Sequence, residues 1–353
     1  MHCRMPRLCC ARHLVDMSTC GGSSLRRGAS VMISRHHMCK ESRYFNMIRT
    51  QTQPRGSRLT VQSVSNSTEP FDALCKVFYP VEKQRTPRDI KGIVHFLGGA
   101  FAGAAPSTLY GRCIRAFTEA GFVVITNAYA VTFRHDVCAR ELDERFGQAM
   151  RQVVDVYGQD DLKIFAVGHS NGALMATMMA SMPECTNARY DACILISFNN
   201  RQVGEAVPVP LSGLQEMLQS VEGDVEDKVR ELVLSNARIF EDSPIDRIDI
   251  ETSVTQLGSV LDEVSLGLDD FSPPPEDNAM MIGQGYSAPK TLLIQFKDDD
   301  IDQSEKIYRV LKKNPRRSVT FKSLEYGTHV SPLLEGTRVA QLCIDYLTSR
   351  CLD

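Results

Sequence analysis

A serine stands between two glycines in the stretch GHSNG, residues 168–172. The apolar run at 164–167 precedes it and a helix-forming apolar run follows it, so these five residues are predicted to form a strand-to-helix turn. Such a turn leaves room only for small residues beside the serine, which explains Gly168 and Gly172, and it lifts the Ser170 hydroxyl above the sheet. By chance alone the pattern occurs in about one chain in ten of this length, so the serine needs partners elsewhere in the chain.

A serine nucleophile needs a base that takes its proton, and in this order of elements the base is expected after the last strand. His329 lies just past a predicted strand at 319–324 and just before the predicted final helix, and it is the only histidine after position 169. His329 is therefore the predicted base.

The base in turn needs a carboxylate, expected after the strand at 291–296. Four aspartates follow that strand: Asp298, Asp299, Asp300 and Asp302. Asp299 has the spacing common for the acid of a triad and is preferred, with Asp300 and Asp298 as alternatives. The remaining acids are predicted to cap the helix that begins near 302.

Backbone N–H groups are needed to stabilise a developing oxyanion. Asn171 N–H, at the start of the helix after Ser170, is one predicted donor. The second is predicted from the Gly-rich turn that follows the strand at 92–97, where either Gly99 or Ala100 could supply it. His95, inside that strand, is predicted to be a packed core histidine.

The elements that must hold these residues alternate between β-rich runs and amphipathic helices. This alternation predicts an α/β fold with a mainly parallel, doubly wound sheet covered on both faces. Strands are predicted at 74–80, 92–99, 122–129, 162–170, 192–198, 291–296 and 319–324. Helices are predicted at 106–121, before Gly158, and at 171–182, 303–313 and 335–347.

Between residues 199 and 289 the alternation stops, and we interpret this segment as a mostly helical cap or lid inserted into a core of 61–198 and 290–353. Apolar residues recur at helical spacing from Leu211 to Leu232. The insert carries 18 acidic and 5 basic residues, a formal charge of −13. Five residues of the insert could line an apolar acyl pocket, although ordinary packing explains each of them equally well: Leu214, Met217, Leu218, Met280 and Met281.

Residues 1–60 contain ten Arg and one Lys against two acidic residues, and no apolar run of the kind a secretory signal needs. An Arg-rich, acid-poor leader is typical of organelle transit peptides, so this segment is predicted to be one and not to be part of the fold. A disordered basic tail or a wrongly assigned start codon is the alternative.

Without the leader, 29 basic residues face 41 acidic ones, a formal charge of −12. A chain this acidic is a poor candidate for binding nucleic acid. It keeps seven cysteines with no Cys-x-x-Cys pair, which predicts reduced thiols and neither a disulfide framework nor a zinc site. No apolar run reaches the length of a membrane span, so at most peripheral membrane contact is expected. No cofactor is predicted, and the oligomeric state is left open.

Several stretches together resemble one family: HFLGGAFAGAAP, NAYAVTFRHD, GHSNG, SFNN, LLIQFKDDDID and GTHVSPL. Over about residues 71–350 the chain resembles the α/β-hydrolase superfamily. In particular it looks like an uncharacterised branch of plants, algae and cyanobacteria, the domain of unknown function numbered thirteen-fifty. The resemblance implies a hydrolase-type fold and a plastid location, and it implies no substrate. Asn171 is polar where many members of the superfamily have an apolar residue.

The predicted function is a serine hydrolase acting on an ester, thioester or lipid-like acyl group, through Ser170, His329 and Asp299. Acyl transfer to an alcohol is a second reading within the same chemistry. The alternative from another class is a non-catalytic hydrolase-fold module that binds a ligand or assembly partner in the plastid. A metal-assisted enzyme built on the aspartate run is a weaker reading, because these carboxylates lack the spacing of a cation loop.

Overall fold

The computed structural model describes residues 74–80, 90–158, 161–202, 263, 266–268 and 270–352. All of these fall within the structural unit Thr52–Asp353. The predicted leader at 1–60 lies outside the described residues, and so does most of the insert, including its predicted helices from Leu211 to Leu232.

Seven strands form a single sheet: β1 Cys75–Phe78, β2 Gly92–Leu97, β3 Phe122–Asn127, β4 Ile164–His169, β5 Ala192–Ile196, β6 Lys290–Asp298 and β7 Ser318–Thr328. Eight α-helices are described: α1 Pro106–Leu109, α2 Gly111–Glu119, α3 His135–Tyr157, α4 Asn171–Met179, α5 Pro275–Gly285, α6 Ser304–Leu311, α7 Ser331–Leu334 and α8 Gly336–Arg350. A short 3₁₀ helix, Ala102–Ala104, precedes α1.

The strand order is β1-β3-β2-β4-β5-β6-β7, and every neighbouring pair is parallel except β1 with β3. β1 lies within the strand predicted at 74–80, and the structure shows it to be an antiparallel edge strand. β3 lies between β1 and β2 in the sheet although it follows β2 in the chain, so β2 and β4 are neighbours at the centre. The predicted α/β class, with a mainly parallel doubly wound sheet of the α/β-hydrolase type, is confirmed.

Both faces of the sheet are covered, and the central strands β2 to β5 are almost entirely buried and mostly apolar for that reason. Successive residues of a strand point to opposite faces, so Val123 belongs to one hydrophobic core and Val124 to the other. Helices α3 and α4 bury their apolar sides in the first core, while α2 and α8 bury theirs in the second.

Helix α3 shows how the sequence sets an element and its end. Its apolar residues at spacings of three and four, such as Leu142, Phe146 and Val153, are fully buried. Gly158 ends the helix in the left-handed conformation with φ 65°, and its N–H bonds the carbonyl of Val154 at 2.7 Å. This confirms the predicted C-terminal glycine.

Two predicted elements differ in extent. The helix predicted at 106–121 is two helices, because Tyr110 between them adopts non-helical angles of φ −105° and ψ 21°. The last strand runs to Thr328, four residues beyond its predicted end at 324.

All seven cysteines of the described residues are free, and six of them are buried. Burial raises the pKa of Cys138 and Cys193 to about 12, which keeps both as neutral thiols. Within the described segments, no helix combines the length and the apolar character that crossing a membrane requires.

Candidate active site

Ser170 occupies the turn between β4 and α4 with φ 55° and ψ −120°, a backbone conformation that serine adopts only under constraint. Its N–H is bonded to the carbonyl of Ile196 at 2.9 Å, which fastens the turn to the end of β5. The residue is 6% exposed and stands at the N-terminus of α4. The chain therefore holds this serine in a strained position where unpaired helical N–H groups are close by.

Positions 168 and 172 are glycines because backbone atoms of other residues lie where a side chain would begin. A Cβ on Gly172 would lie 2.3 Å from the carbonyl oxygen of Gly98 and 2.4 Å from that of Leu97. A Cβ on Gly168 would lie 2.5 Å from the carbonyl oxygen of Gly172. The contact at Gly168 is the close approach of helix to preceding strand that the sequence predicted, and the contact at Gly172 shows that the start of α4 also packs directly against the end of β2.

The register of β6 and β7 brings Asp299 and His329 together. Asp298 pairs with Thr328 at the ends of the two strands, so the residues that follow them leave the sheet side by side. An irregularity in the pairing adds two residues to β7 between Leu324 and Thr328, and without it this pairing would not occur.

The three side chains form a continuous hydrogen-bonded line. Ser170 Oγ is 2.9 Å from His329 Nε2, and His329 Nδ1 is 2.9 Å from Asp299 Oδ2 and 3.1 Å from Oδ1. An ionised carboxylate only accepts, so Nδ1 carries the proton and Nε2 is free to accept one from the serine. The arrangement can therefore abstract the serine proton when Oγ attacks an electrophile.

Asp299 is held as an anion. Burial by itself raises the pKa of its carboxyl, but the hydrogen bond and charge of His329 and the N–H of Ile301 outweigh burial and lower the pKa below its usual range. Ser197 Oγ contributes to this lowering although it makes no hydrogen bond of standard geometry.

The other aspartates of the run have different surroundings. Asp302 accepts the N–H of Ser304 at 2.5 Å and so caps α6, as predicted for part of this run. Burial raises the pKa of Asp302 to about 6. The carbonyl of Asp300 accepts a hydrogen bond from Arg201, and Asp298 ends β6. Of the three predicted alternatives, the structure brings only Asp299 to His329.

The Gly-rich turn after β2 lies against the nucleophile, since a Cβ on Gly99 would come within 3.1 Å of Ser170 Cβ. The structure corrects one of the two oxyanion candidates here. Gly99 N–H donates to Tyr110 Oη at 2.9 Å and is therefore already engaged. Ala100 N–H and Asn171 N–H make no hydrogen bond to any described residue, and these two are the donors left for an oxyanion.

Two tyrosines that the sequence analysis did not single out fix this turn. Tyr129 Oη donates to the carbonyl of Gly98 at 2.5 Å, and Tyr110 Oη lies 2.7 Å from His169 Nδ1. The motif pattern alone gives His169 no role. A polar residue at the end of an otherwise apolar strand was the signal that could have identified it. His95 is the core histidine that was predicted, fully buried and 2.8 Å from Tyr190 Oη.

The side chain of Asn171 also has a partner, which accounts for a polar residue at this position. Its Nδ2 lies 3.4 Å from Nε2 of the buried His135, whose ring stacks on Phe271 at 4.3 Å. Glu263, from the insert, accepts hydrogen bonds at 2.5 Å from Thr132 Oγ1 and from the N–H of Phe133. The C-terminal part of the insert is therefore anchored on the loop beside Asn171.

The interpretation of Met280 and Met281 as acyl-pocket residues is wrong. Both line a cavity of about 740 Å³ at the C-terminal end of α4, together with Met179 and Met182. Ser170 stands at the opposite end of this helix, about 13 Å away along its axis. Helix α5 packs against the far end of α4 and against α6, so its methionines do not face the nucleophile. Leu214, Met217 and Leu218 lie outside the described residues.

In the part of the chain that the structure describes, no three His, Cys, Asp or Glu side chains are grouped so that they could hold a metal ion.

Comparison with known protein families matches most of this chain to one of them. The sequence model of a family described as "Protein of unknown function (DUF1350)" matches residues 83–341. A search of the curated proteins found no match.

Three similar solved structures are esterases. A carboxyl esterase of Bacillus coagulans is 17% identical, with a TM-score of 0.44, 78% of this chain covered and 93% of the other. The esterase Est2 of Thermogutta terrifontis is 16% identical, with a TM-score of 0.48 and coverage of 79% and 89%. Fungal esterases from Rhizomucor miehei are represented at 12% identity, with a TM-score of 0.49 and 78% of each chain covered.

Proposed function

The chain belongs to the DUF1350 family within the α/β-hydrolase superfamily, and we propose that it is a serine hydrolase acting on an ester, thioester or lipid-like acyl group. One observation carries the proposal. The strained Ser170, the base His329 and the ionised Asp299 form one hydrogen-bonded line, with separations of 2.9 Å at each step. The order in which they are linked, nucleophile to base to carboxylate, is that of the serine-hydrolase triad.

In the proposed reaction Ser170 Oγ attacks the acyl carbonyl carbon while its proton passes to His329 Nε2. Asp299 stabilises the imidazolium that results and keeps the ring in the orientation for transfer. The N–H groups of Asn171 and Ala100 bind the oxyanion, each contributing about 3 kcal/mol to the transition state. His329 then protonates the leaving alcohol or thiol, which leaves an acyl group on Ser170. In the second half of the reaction His329 takes a proton from water, the water oxygen attacks the acyl carbon, and His329 returns the proton to Ser170 Oγ as the acid is released.

The charge of the chain restricts the substrate. The insert has a formal charge of −13, and its residue Glu263 is bonded to the loop beside Asn171. We propose that neutral acyl groups are preferred over anionic ones, because a negative field opposes the approach of an anion. Transfer of the acyl group to an alcohol instead of water uses the same residues.

Turnover of simple acyl esters tests the proposal. We expect the full chain to hydrolyse p-nitrophenyl esters or acyl thioesters of short or medium length, and the Ser170→Ala variant to lose this activity. Ser181→Ala is the matched control, because Ser181 is also buried beside α4 but donates its hydroxyl to the carbonyl of Thr177, far from His329. A wild-type rate of ester hydrolysis no higher than that of Ser170→Ala would contradict the proposal and favour a non-catalytic binding module.

We also propose that the basic leader directs the chain to the plastid. Its composition and the resemblance described above support this location.

A further inference from the structure

A second line of buried hydrogen bonds runs behind the nucleophile. Gly99 N–H lies 2.9 Å from Tyr110 Oη, and Tyr110 Oη lies 2.7 Å from His169 Nδ1. His169 Nε2 lies 2.9 Å from the backbone carbonyl of His329. Tyr110 is 1% exposed and His169 is 3% exposed, so water does not compete for these contacts.

The two ends of this line fix every proton within it. Gly99 N–H can only donate, so Tyr110 Oη accepts from it; the carbonyl of His329 can only accept, so His169 Nε2 donates to it. A neutral imidazole then has Nδ1 as its acceptor, which receives the hydroxyl proton of Tyr110. The line is consistent only while His169 is neutral. Burial, followed by the nearby charge of His329, lowers the pKa of His169 to about 3.

We propose that Tyr110 and His169 are positioning residues that hold the two halves of the active site in register with Ser170. This inference rests on the proposed function, since it assigns a role in that same reaction. Neither residue touches the reacting atoms. They act through the loops at the two ends of the line, the turn at Gly99 and the loop that carries His329.

At the first end, hydrogen bonds set the two peptide units on either side of Gly99. The N–H of Gly99 belongs to the unit that joins Gly98 to Gly99, and its carbonyl belongs to the unit that joins Gly99 to Ala100. Tyr110 engages the N–H of Gly99, and the carbonyl of Gly99 accepts the N–H of Gly103 at 2.5 Å. The carbonyl and the N–H of one peptide unit point in opposite directions. Ala100 N–H is thereby aimed away from Gly103 and cannot rotate freely, as a pre-organised oxyanion donor requires.

At the second end, His169 holds the backbone of the base. His329 uses both ring nitrogens for Ser170 and Asp299, and its main-chain carbonyl is bonded to the residue that immediately precedes the nucleophile. The distance from His329 Nε2 to Ser170 Oγ is therefore fixed from two sides. A displacement of about 1 Å at such a contact can slow a reaction about a hundredfold.

Removing one hydroxyl tests the role. Tyr110→Phe keeps the ring that packs against Phe96 and deletes only the link from Gly99 to His169. Tyr190→Phe is the matched control. Tyr190 is also buried and places its hydroxyl 2.8 Å from Nδ1 of a buried histidine, His95, whose pKa burial likewise lowers to about 3.

The readout is the saturation kinetics of labelling by a serine-directed fluorophosphonate on the full chain. We expect Tyr110→Phe to lower the maximal labelling rate constant about ten- to hundredfold relative to Tyr190→Phe, with little change in the probe's half-saturation concentration. The melting temperatures of the two variants should fall by similar amounts. Maximal rate constants within twofold of each other would overturn the inference.

A second readout does not depend on activity. In protein with ¹⁵N-labelled histidine, we expect His169, assigned by the loss of its signal in His169→Gln, to stay a neutral Nε2–H tautomer from about pH 8 to about pH 5. Its unperturbed pKa would be about 6.5. A wild type that fails to label overturns the proposed function. Three results would overturn the positioning role. They are an Nδ1–H tautomer of His169, titration of His169 between about pH 8 and about pH 5, and His329 signals that do not change in Tyr110→Phe.

Discussion

The imidazole of His329 can take a proton at Nε2 only while Nδ1 already carries one, and the hydrogen bond to Asp299 selects this tautomer. The side chain of Asp299 is fully buried and its pKa is lowered, so the carboxylate remains ionised at neutral pH. Asp299 therefore acts on His329 in two ways, by selecting the tautomer of the imidazole and by its negative charge. A substitution by asparagine removes both effects without changing the size of the side chain.

Asp299→Asn is predicted to reduce the rate of acyl-ester turnover by about 10³- to 10⁴-fold, because an amide can donate to Nδ1 and stabilise the wrong tautomer. The loss should persist from about pH 5 to about pH 9, since the lowered pKa of Asp299 keeps the wild-type carboxylate charged over this range. Rates measured across that range check both points. Asp300→Asn is the control, because the side chain of Asp300 is exposed and only its carbonyl is bonded. A loss of tenfold or less in Asp299→Asn would contradict the assignment.

The three hydrogen-bonded residues Ser170, His329 and Asp299 could be predicted from the sequence, because each lies next to a recognisable strand end. It could not decide between Gly99 and Ala100, since both are small and both follow β2. The choice depends on Tyr110, whose hydroxyl engages the N–H of Gly99 from a helix start 11 residues later. A contact of this kind depends on side-chain direction, which no local pattern encodes.

At the scale of elements, the site depends on how closely α4 approaches β2. The first turn of α4 lies on the carbonyl oxygens that end β2, and Gly172 is the residue that permits this contact. This approach also brings the Gly-rich turn after β2 next to Ser170, so Gly172 matters both for the packing of α4 and for the geometry around the serine.

Gly172→Ala is predicted to lower the free energy of unfolding by about 2–3 kcal/mol, because the added Cβ would overlap two backbone oxygens that cannot turn aside. Gly111→Ala is the matched control. It is also a glycine at the start of a helix, but a Cβ there meets nothing within 4 Å, so it should stabilise the chain by about 0.5–1 kcal/mol. Urea unfolding of both variants measures the difference. Equal stability of the two would contradict the packing described for Gly172.

The strands and most helices could be predicted from periodicity, capping and glycine positions, as α3 and Gly158 illustrate. The register between β6 and β7 could not. The two additional residues of β7 before Thr328 place His329 beside Asp299, and they follow from strand pairing far apart in the sequence. Met280 and Met281 were assigned to an acyl pocket for a similar reason, since the apolar character of a residue does not say which neighbour it meets.

At the scale of the whole molecule, charge is unevenly distributed along the chain. Ten arginines lie in the first 60 residues, while residues 199–289 have a formal charge of −13. Residues 61–353 are therefore strongly acidic, with a formal charge of −12. A field of this sign acts on every charged substrate that approaches.

An ester with an anionic acyl group, such as a succinate monoester, is predicted to react about tenfold more slowly in kcat/KM than the matching neutral butyrate ester at low salt. The difference should shrink at about 0.5 M salt, because screening shortens the range of the field. Measuring kcat/KM for both esters at two ionic strengths is the check, with Ser170→Ala giving the background. A faster reaction of the anionic ester at low salt would contradict the proposed substrate preference.

The basic leader gives a separate prediction. A fusion of residues 1–60 to a fluorescent protein should accumulate in the plastids of a photosynthetic eukaryotic cell, because its Arg-rich, acid-poor composition is that of a transit sequence. A leader with its arginines changed to glutamine should stay outside them. Cytosolic fluorescence of both fusions would contradict the plastid proposal.

Fluorophosphonate labelling of the full chain tests most directly whether Ser170 is a nucleophile that His329 activates. We expect a phosphonylated peptide containing Ser170 in wild type and in Ser181→Ala, no labelling in Ser170→Ala, and labelling slowed at least a hundredfold in His329→Ala. A folded wild-type chain that remains unlabelled, or that is labelled at the same rate without His329, would contradict these roles of Ser170 and His329.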